Sequence, residues 1–168
     1  VYLASKMPTV YLLTGTNMGD RLKMLGDMAD YTGKLIGIIQ NHSKIYETEP
    51  WGFTSDMWFM NQVLKVDTEQ KPDQVLDIII QIEKELGRVR NRETVYSSRT
   101  ADMDILFFGN EIIQSDRLQI PHKHLHERKF ALVPLSEIAP DFIHPVKGLS
   151  IAELLQNCMD ESVVRLYS

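Results

Sequence analysis

Two aspartates interrupt one of the most apolar runs of the chain, the segment "SSRTADMDILFFGN" at residues 97–110. Asp102 and Asp104 are separated by a single residue, so in a β-strand their side chains project from the same face. Two carboxylates this close repel each other unless a positive charge lies between them, and a divalent cation is the simplest one. Because Leu106 and Phe108 continue the alternation, we expect a strand end that opens into a cleft. On the pair alone, a solvated face or an ion pair with a neighbouring arginine is an equally good interpretation.

The arginines favour a phosphate-bearing ligand near this pair. The net charge is −5, yet six of the eight arginines lie between residues 88 and 128, on both sides of the aspartates. The six are Arg88, Arg90, Arg92, Arg99, Arg117 and Arg128. Such a cluster in an acidic protein argues against nucleic acid as the partner and favours a small polyanion. Arginine donates to two phosphate oxygens at once, and carboxylates together with phosphate oxygens suit Mg²⁺.

The common nucleotide-binding loops are absent from the sequence, since neither G-x-x-x-x-G-K-[ST] nor G-x-G-x-x-G occurs. We interpret "GTNMGD" as a turn from strand to helix. Three histidines alternate in "IPHKHLHERKF", which raises a zinc hypothesis, but in a loop this pattern is weakly specific. We favour an exposed polar segment for His124 and His126, and a phosphate contact for His122.

Aromatic residues cluster around one asparagine. Trp51, Phe53, Trp58 and Phe59 lie close in sequence to Asn61. Most aromatic side chains pack in a core. Two tryptophans in loop-like sequence also fit a slot for a flat heterocycle, whose edge the amide of Asn61 could read as donor and acceptor.

The whole chain has the size and composition of one domain spanning residues 1–168. Hydrophobic residues are 43% and charged residues 24% of the chain. The single cysteine, Cys158, excludes an internal disulfide and favours a reducing cytoplasm. No apolar run approaches the roughly 20 residues that cross a bilayer, so we expect no membrane partner. Met7 is a candidate native start, with residues 1–6 then a remnant of cloning.

The elements that must position these residues follow from the hydrophobic pattern. Strands are predicted at 9–17, 43–50 and 59–68, in the aspartate segment and, as an edge strand, at 162–167. A first helix is predicted after Gly19, and a second from residue 71, with Pro72 in its first turn and Gly87 as its stop. A third is predicted at 127–140, broken by Pro134. A fourth is predicted from residue 150, with Ser150 as its N-cap. The segment "GNEII" resembles a hairpin turn. The polar segment 91–98 is predicted to be a loop that closes over bound substrates.

The order β-α-β-β-α-β predicts an α+β, ferredoxin-like fold, with an antiparallel sheet and helices packed on its faces. A doubly wound α/β fold is the weaker alternative, because no helix separates the second and third strands.

Together the motifs resemble one family, the 6-hydroxymethyl-7,8-dihydropterin pyrophosphokinases of folate biosynthesis. The most specific matches are "YETEPWG", "FMNQV", "EKELGRVR", "RTADMDILFFGN" and "LQIPHKHLHERKFALVPLSEIAP". The resemblance implies transfer of the β,γ-diphosphate of ATP to the hydroxymethyl oxygen of the pterin, with release of AMP. It also implies two Mg²⁺ ions and a monomeric enzyme that uses ATP and 6-hydroxymethyl-7,8-dihydropterin.

The resemblance also implies roles for individual residues. Asp102 and Asp104 match the metal ligands, and Arg90 and Arg99 match the catalytic arginines. The ATP-binding positions are Glu83, Arg88, Arg90, Arg92, Arg99, Arg117, His122 and Arg128. The pterin-binding positions are Thr48, Trp51, Phe59, Asn61, Tyr96 and Phe130. The family commonly has Trp-Gly-Pro before the Arg-Thr of the aspartate strand, whereas Tyr96-Ser97-Ser98 stands here, so Tyr96 is the candidate lid over the pterin.

Two other classes of function compete with this interpretation. A ferredoxin-like domain can bind a nucleotide or metal as a sensor without chemistry, although a sensor does not need a second carboxylate. A zinc hydrolase built on the three histidines is the other alternative. Metal analysis and product identification distinguish the three.

Overall fold

An antiparallel sheet organises the chain, with helices on both of its faces. The computed structural model describes residues 6–52, 54–87 and 101–168. In these ranges the strands are β1 (Thr9–Thr16), β2 (Ile38–His42), β3 (Tyr46–Thr48), β4 (Phe59–Asp67), β5 (Asp102–Phe108), β6 (Ile113–Gln114), β7 (Gln119–Ile120) and β8 (Val164–Leu166). The helices are α1 (Arg21–Leu35), α2 (Pro72–Glu85), α3 (Lys129–Ile138) and α4 (Ile151–Gln156), with a 3-10 turn at Leu125–Glu127.

The order of the strands confirms the predicted ferredoxin-like arrangement. Among the described residues, the main sheet runs β5-β1-β4-β3-β8, and β2 also pairs with β4. All of these pairings are antiparallel. Because β2 and β3 occupy successive stretches alongside β4, together they take the place of the second strand of the fold. β8 extends the edge beyond them, as the pattern at 162–167 predicted.

The second strand is longer and more irregular than predicted. The prediction of one strand at 43–50 missed β2, which is mostly exposed, and overestimated β3. The two pieces separate at Ser43, where the chain leaves the regular register. There the backbone N–H of Ser43 donates to the Val63 carbonyl, while its hydroxyl accepts from the Val63 N–H, both at 2.9 Å. One buried serine thus satisfies the ladder groups of β4 at the break.

Two hydrophobic clusters cover the two faces of the sheet. The larger cluster joins Leu12 and Ile105 to Leu25 of α1 and Ile79 of α2. The smaller cluster includes Leu13, Val63 and Phe107 from the sheet, and it is covered by α3 and α4. The helices therefore lie on both faces of the sheet. No described helix is both long and apolar enough to span a membrane.

A β-bulge corrects the predicted facing of β5. Tyr11 pairs with Phe107 and Leu12 pairs with Ile105, so Leu106 is an extra residue in the ladder. Leu106 and Phe107 belong to the smaller cluster, whereas Phe108 belongs to the larger one. The prediction that Phe108 continues the face of the aspartates is therefore wrong, because the bulge shifts the alternation by one residue.

Two further predictions about local structure are corrected. α3 continues through Pro134 to Ile138, because Pro134 is buried with Leu132 and Leu135 and this packing holds the helix together. The turn after β5 is present, with Gly109 at φ 52°. However, β6 pairs with β7 rather than with β5, so the turn does not close a hairpin on the aspartate strand.

Candidate active site

The aspartate pair and several of the predicted pterin contacts share one face of the sheet. Gly15 of β1 lies opposite Asp102 on one side and opposite Asn61 on the other. Because directly paired residues of an antiparallel ladder project from the same face, Asp102 and Asn61 flank Gly15. Thr48 and Asp104 lie on this face as well. The sheet therefore brings together the predicted metal ligands and the predicted pterin contacts.

Two basic groups approach the carboxylate of Asp104. His122 Nε2 lies 3.9 Å from Oδ1, and Arg128 Nη1 lies 3.8 Å from Oδ2. The side chain of Asp104 is 29% exposed, and that of Arg128 only 9%. The carboxylate of Asp104 is thus partly exposed to solvent, while the guanidinium of Arg128 lies on its buried side. An anion that enters here meets positive charge behind the carboxylates.

The protonation of His122 follows from its hydrogen bond and its burial. Its Nδ1 accepts from the backbone N–H of His124 at 3.2 Å, so the proton of the neutral ring is on Nε2, which faces Asp104. Burial first, and then the charge of Arg128, lower the pKa of His122 to about 3. His122 is therefore a neutral donor of one hydrogen bond at physiological pH.

Arg128 connects the acidic site to the aromatic side chains. Its guanidinium lies 4.7 Å from the centre of the Trp51 ring and 5.6 Å from that of Phe130. A guanidinium over an aromatic face gains electrostatic attraction, and more so when it is desolvated. The predicted pterin contacts Trp51 and Phe130 thus meet the predicted ATP contact Arg128. The start of α3 places both Arg128 and Phe130.

A buried hydrogen bond forms the polar end of the aromatic slot, the name we give to the predicted pterin contacts Trp51, Phe59 and Phe130. Asn61 Nδ2 donates to Thr48 Oγ1 at 2.7 Å, and both residues are buried. The amide oxygen of Asn61 lies over Gly15, where a Cβ would overlap it. Gly15 is the residue that the sequence interpretation missed, because it was assigned only to a strand-to-helix segment. A glycine inside a strand is itself the signal of such a close approach.

The backbone just before β4 is held by Asn17, which follows β1, and by Arg21, the first residue of α1. Phe59, a predicted pterin contact, begins β4 opposite Thr48. Just before it, the carbonyl of Trp58 accepts from Arg21 Nη1 at 3.0 Å, and the carbonyl of Met57 accepts from Asn17 Nδ2 at 3.2 Å. Both hydrogen bonds are to main-chain carbonyls, so they position the backbone that leads into Phe59.

Two predicted ATP contacts lie on or beside α2. Glu83 is 1% exposed on the buried side of this helix. Arg117, between β6 and β7, forms a 2.5 Å ion pair with the exposed Asp77 of α2. The guanidinium of Arg117 therefore contacts α2 rather than the aspartate pair.

Several predicted residues lie outside the described ranges. They are the predicted ATP contacts Arg88, Arg90, Arg92 and Arg99, the candidate lid Tyr96 and the aromatic Phe53. The predicted closing loop at 91–98 also lies there.

The carboxylates on this face are donors that suit magnesium together with phosphate oxygens. Across 6–52, 54–87 and 101–168, no group of three or more histidine, cysteine, aspartate or glutamate residues could hold a metal ion. His124 and His126 contact Glu127 instead of converging on a common point. Two carboxylates that leave the other coordination positions to phosphate oxygens and water are what Mg²⁺ requires.

A pair of carboxylates, a buried arginine and a group of aromatic side chains on one face of a ferredoxin-like sheet are typical of an enzyme that transfers phosphate groups. A family model described as 7,8-dihydro-6-hydroxymethylpterin-pyrophosphokinase (HPPK) matches residues 11–140. The chain belongs to this family.

Individual relatives agree with this assignment. The chain is 36% identical over 161 residues to the 2-amino-4-hydroxy-6-hydroxymethyldihydropteridine pyrophosphokinase of Methylorubrum extorquens, covering 95% of this chain and 99% of that one. It is 40% identical over 155 residues to the folic acid synthesis protein fol1 of Pneumocystis carinii, covering 92% of this chain and 20% of that one.

A solved structure supports the fold alone. The HPPK-DHPS structure of Plasmodium falciparum superposes with a TM-score of 0.74 at 18% identity, covering 90% of this chain and 44% of that one.

Proposed function

We propose that the face around Gly15 transfers the β,γ-diphosphate of ATP to the hydroxymethyl group of 6-hydroxymethyl-7,8-dihydropterin. The family is one of folate-biosynthesis pyrophosphokinases, with ATP as co-substrate. The observation that supports this site most strongly is the placement of Asp102 and Asn61 on either side of Gly15. A phosphate group and a heterocycle bound to these residues would lie side by side, as an attack between them requires.

The described residues supply binding, orientation and charge in this proposal. Asn61, held by Thr48, reads the edge of the pterin, and Trp51 and Phe130 provide apolar surfaces for its ring. His122 donates one neutral hydrogen bond and Arg128 a charged one to phosphate oxygens. These donors are fixed before the reaction, so they stabilise the developing charge without reorganisation.

Asp102 and Asp104 would hold two Mg²⁺ ions, which neutralise phosphate charge when bound. Arg90 and Arg99 complete the proposal as catalytic residues, by resemblance to the family. The pterin oxygen forms its new bond to the β-phosphorus, the bond from that phosphorus to the α–β bridging oxygen breaks, and AMP leaves with that oxygen. The proton of the hydroxymethyl group passes to solvent or to a base.

Product analysis tests the function directly. The protein is incubated with Mg·ATP and 6-hydroxymethyl-7,8-dihydropterin, and the nucleotides are separated at partial conversion. AMP should appear in equal amount with a pterin that carries two phosphates. ADP with a monophosphorylated pterin would overturn the proposal. Binding of both substrates without turnover would identify a sensor, and one equivalent of resident zinc would favour a hydrolase.

A monomeric state, a cytoplasmic location and a single domain over 1–168 stay predictions. Light scattering coupled to size exclusion tests the first of them.

A further inference from the structure

The segment after α4 contacts both sides of the aromatic slot. Residues 160–166, which we call the strap, cross from the start of α3 to the edge strand β3. At one end Asp160 Oδ2 accepts from the backbone N–H of Lys129 at 3.0 Å. At the other end β8 pairs with β3, and Val164 lies directly opposite Thr48.

The contact at α3 acts on two slot residues. Lys129 is the first residue of this helix, and its N-cap residue, Arg128, makes no side-chain capping bond. Asp160 therefore caps the helix from another part of the chain, and its charge also favours the positive end of the helix dipole. Asp160 is itself held, because Oδ1 accepts from the N–H of Ser162 at 2.9 Å and from its hydroxyl. Since Lys129 lies between Arg128 and Phe130, this cap fixes the backbone from which both project.

The contacts at β3 act on the opposite side of the slot. Val163 donates to Glu49 Oε1 at 3.1 Å, and its carbonyl accepts from the Glu49 N–H at 3.2 Å. Arg165 Nη2 pairs with Glu47 Oε2 at 3.1 Å, and the same guanidinium lies 4.6 Å from the centre of the Trp58 ring. The strap thus contacts the chain two residues before Trp51, at Glu49, and one residue before Phe59, at Trp58.

We propose that Asp160 and Arg165 are positioning residues for substrate binding, which act through the strap to set the separation between Trp51 and the Arg128–Phe130 pair. This inference rests on the proposed function. The strap touches none of the reacting groups, so it acts on the affinity for substrates rather than on the chemical step. Asp160 acts on Arg128 and Phe130, and therefore on both substrates, whereas Arg165 acts on the pterin side only.

Steady-state kinetics of the full chain test this division. Asp160→Ala should raise the KM for both pterin and ATP about fivefold, as expected for the loss of one helix cap. Arg165→Ala should raise only the KM for the pterin, and Arg165→Lys should behave like Arg165→Ala, because lysine lacks the planar group that stacks on Trp58. The control is Glu161→Ala, an exposed carboxylate in the same segment. A purely structural role would lower the melting temperature and kcat and leave both KM values at wild type, which would overturn the proposal.

Tryptophan fluorescence gives a second readout that needs no turnover. The chain has two tryptophans, so in a Trp58→Phe background Trp51 is the only reporter. Asp160→Ala should increase iodide quenching of Trp51, because Arg128 no longer covers it, while Glu161→Ala should not. If Asp160→Ala fails to fold, Asp160→Asn replaces it, because the amide oxygen of asparagine can still accept from the backbone N–H of Lys129. A smaller increase in the quenching of Trp51 is then expected. Equal quenching in the Asp160 and Glu161 variants would overturn the positioning role of the strap. If the wild-type protein forms no pyrophosphokinase products, the proposed function is overturned, but the quenching measurement stays valid.

Discussion

The side-chain amide of Asn61 rests on the backbone of Gly15, at the position where any other residue would place its Cβ. The absence of a side chain at Gly15 leaves room for the amide oxygen, while the amide nitrogen donates to Thr48. The polar end of the slot therefore depends on an absent side chain in the neighbouring strand.

Gly15→Ala should raise the KM for the pterin roughly tenfold. The added methyl group displaces Asn61 and leaves buried polar atoms without their hydrogen bonds, which costs about 1–3 kcal/mol. The matched control is Gly26→Ala on α1, where a Cβ meets nothing within 4 Å. That control should keep wild-type kinetics and gain up to about 1 kcal/mol in the free energy of unfolding. Identical kinetics for the two variants would contradict the role of Gly15.

Asp102→Ala and Asp104→Ala should each reduce turnover at least about a hundredfold, because a lost metal ligand removes several kcal/mol of charge stabilisation. Asp102→Ala should leave the melting temperature unchanged or slightly higher, since it removes repulsion between like charges. Asp104→Ala should lower the melting temperature, because the buried guanidinium of Arg128 loses a carboxylate 3.8 Å away. Binding of Mn²⁺ in the presence of ATP, measured by electron paramagnetic resonance, should weaken in parallel. Asp116→Ala, at an exposed site between β6 and β7, is the control. A folded double variant with near-normal turnover would rule out the assignment.

Arg117 offers a test between two roles for one side chain. Its ion pair with Asp77 is exposed, so solvent screens the attraction and the pair adds little to stability. If Arg117 also binds ATP, as the resemblance implies, Arg117→Ala should raise the KM for ATP while Asp77→Ala should not. Equal KM values for ATP in both variants would show that Arg117 is only a surface contact of α2.

His144 should make the protein less stable in mild acid. Burial first, and then the neighbouring charges of Lys147 and His126, lower its pKa from 6.5 to about 4. As the pH falls below about 6.5 the unfolded chain takes up a proton that the folded chain resists. The stabilising effect of neutral His144 is therefore complete above that pH and is lost progressively down to about 4.

A variant isolates this contribution. His144 Nδ1 accepts from the N–H groups of Val146 and Lys147, and the side-chain oxygen of asparagine can take its place. His144→Asn should therefore reduce the fall in melting temperature between pH 7 and pH 5. It should not abolish the fall, because His122 has a shift of the same sign. An unchanged fall would show that His144 is not one of its sources.

The sequence predicted the fold well wherever the pattern was local. The period of α2, its Pro72 start and its Gly87 stop were confirmed, as was the Ser150 cap of α4. The bulge at Leu106 and the continuation of α3 through Pro134 were not predictable, because each depends on packing against residues distant in sequence.

The site divides in the same way. The alternation of Asp102 and Asp104 placed them on one face without any structure. The contact of Gly15 with Asn61 depends on strand register, which periodicity alone does not determine. The stacking of Arg128 on Trp51 joins two residues outside the strands that are distant in sequence.

The position of β1 between β5 and β4 links activity to the folding of the whole chain. Its two partners are far away in sequence, since Val10 pairs with Val66 on one side and with Phe108 on the other. Pairings of such high contact order form slowly and only after large loops close. The face that carries Asn61 and Asp102 does not exist until both ladders are complete. No partly folded intermediate should therefore retain catalytic competence, and on denaturant titration the loss of activity should coincide with the cooperative unfolding transition.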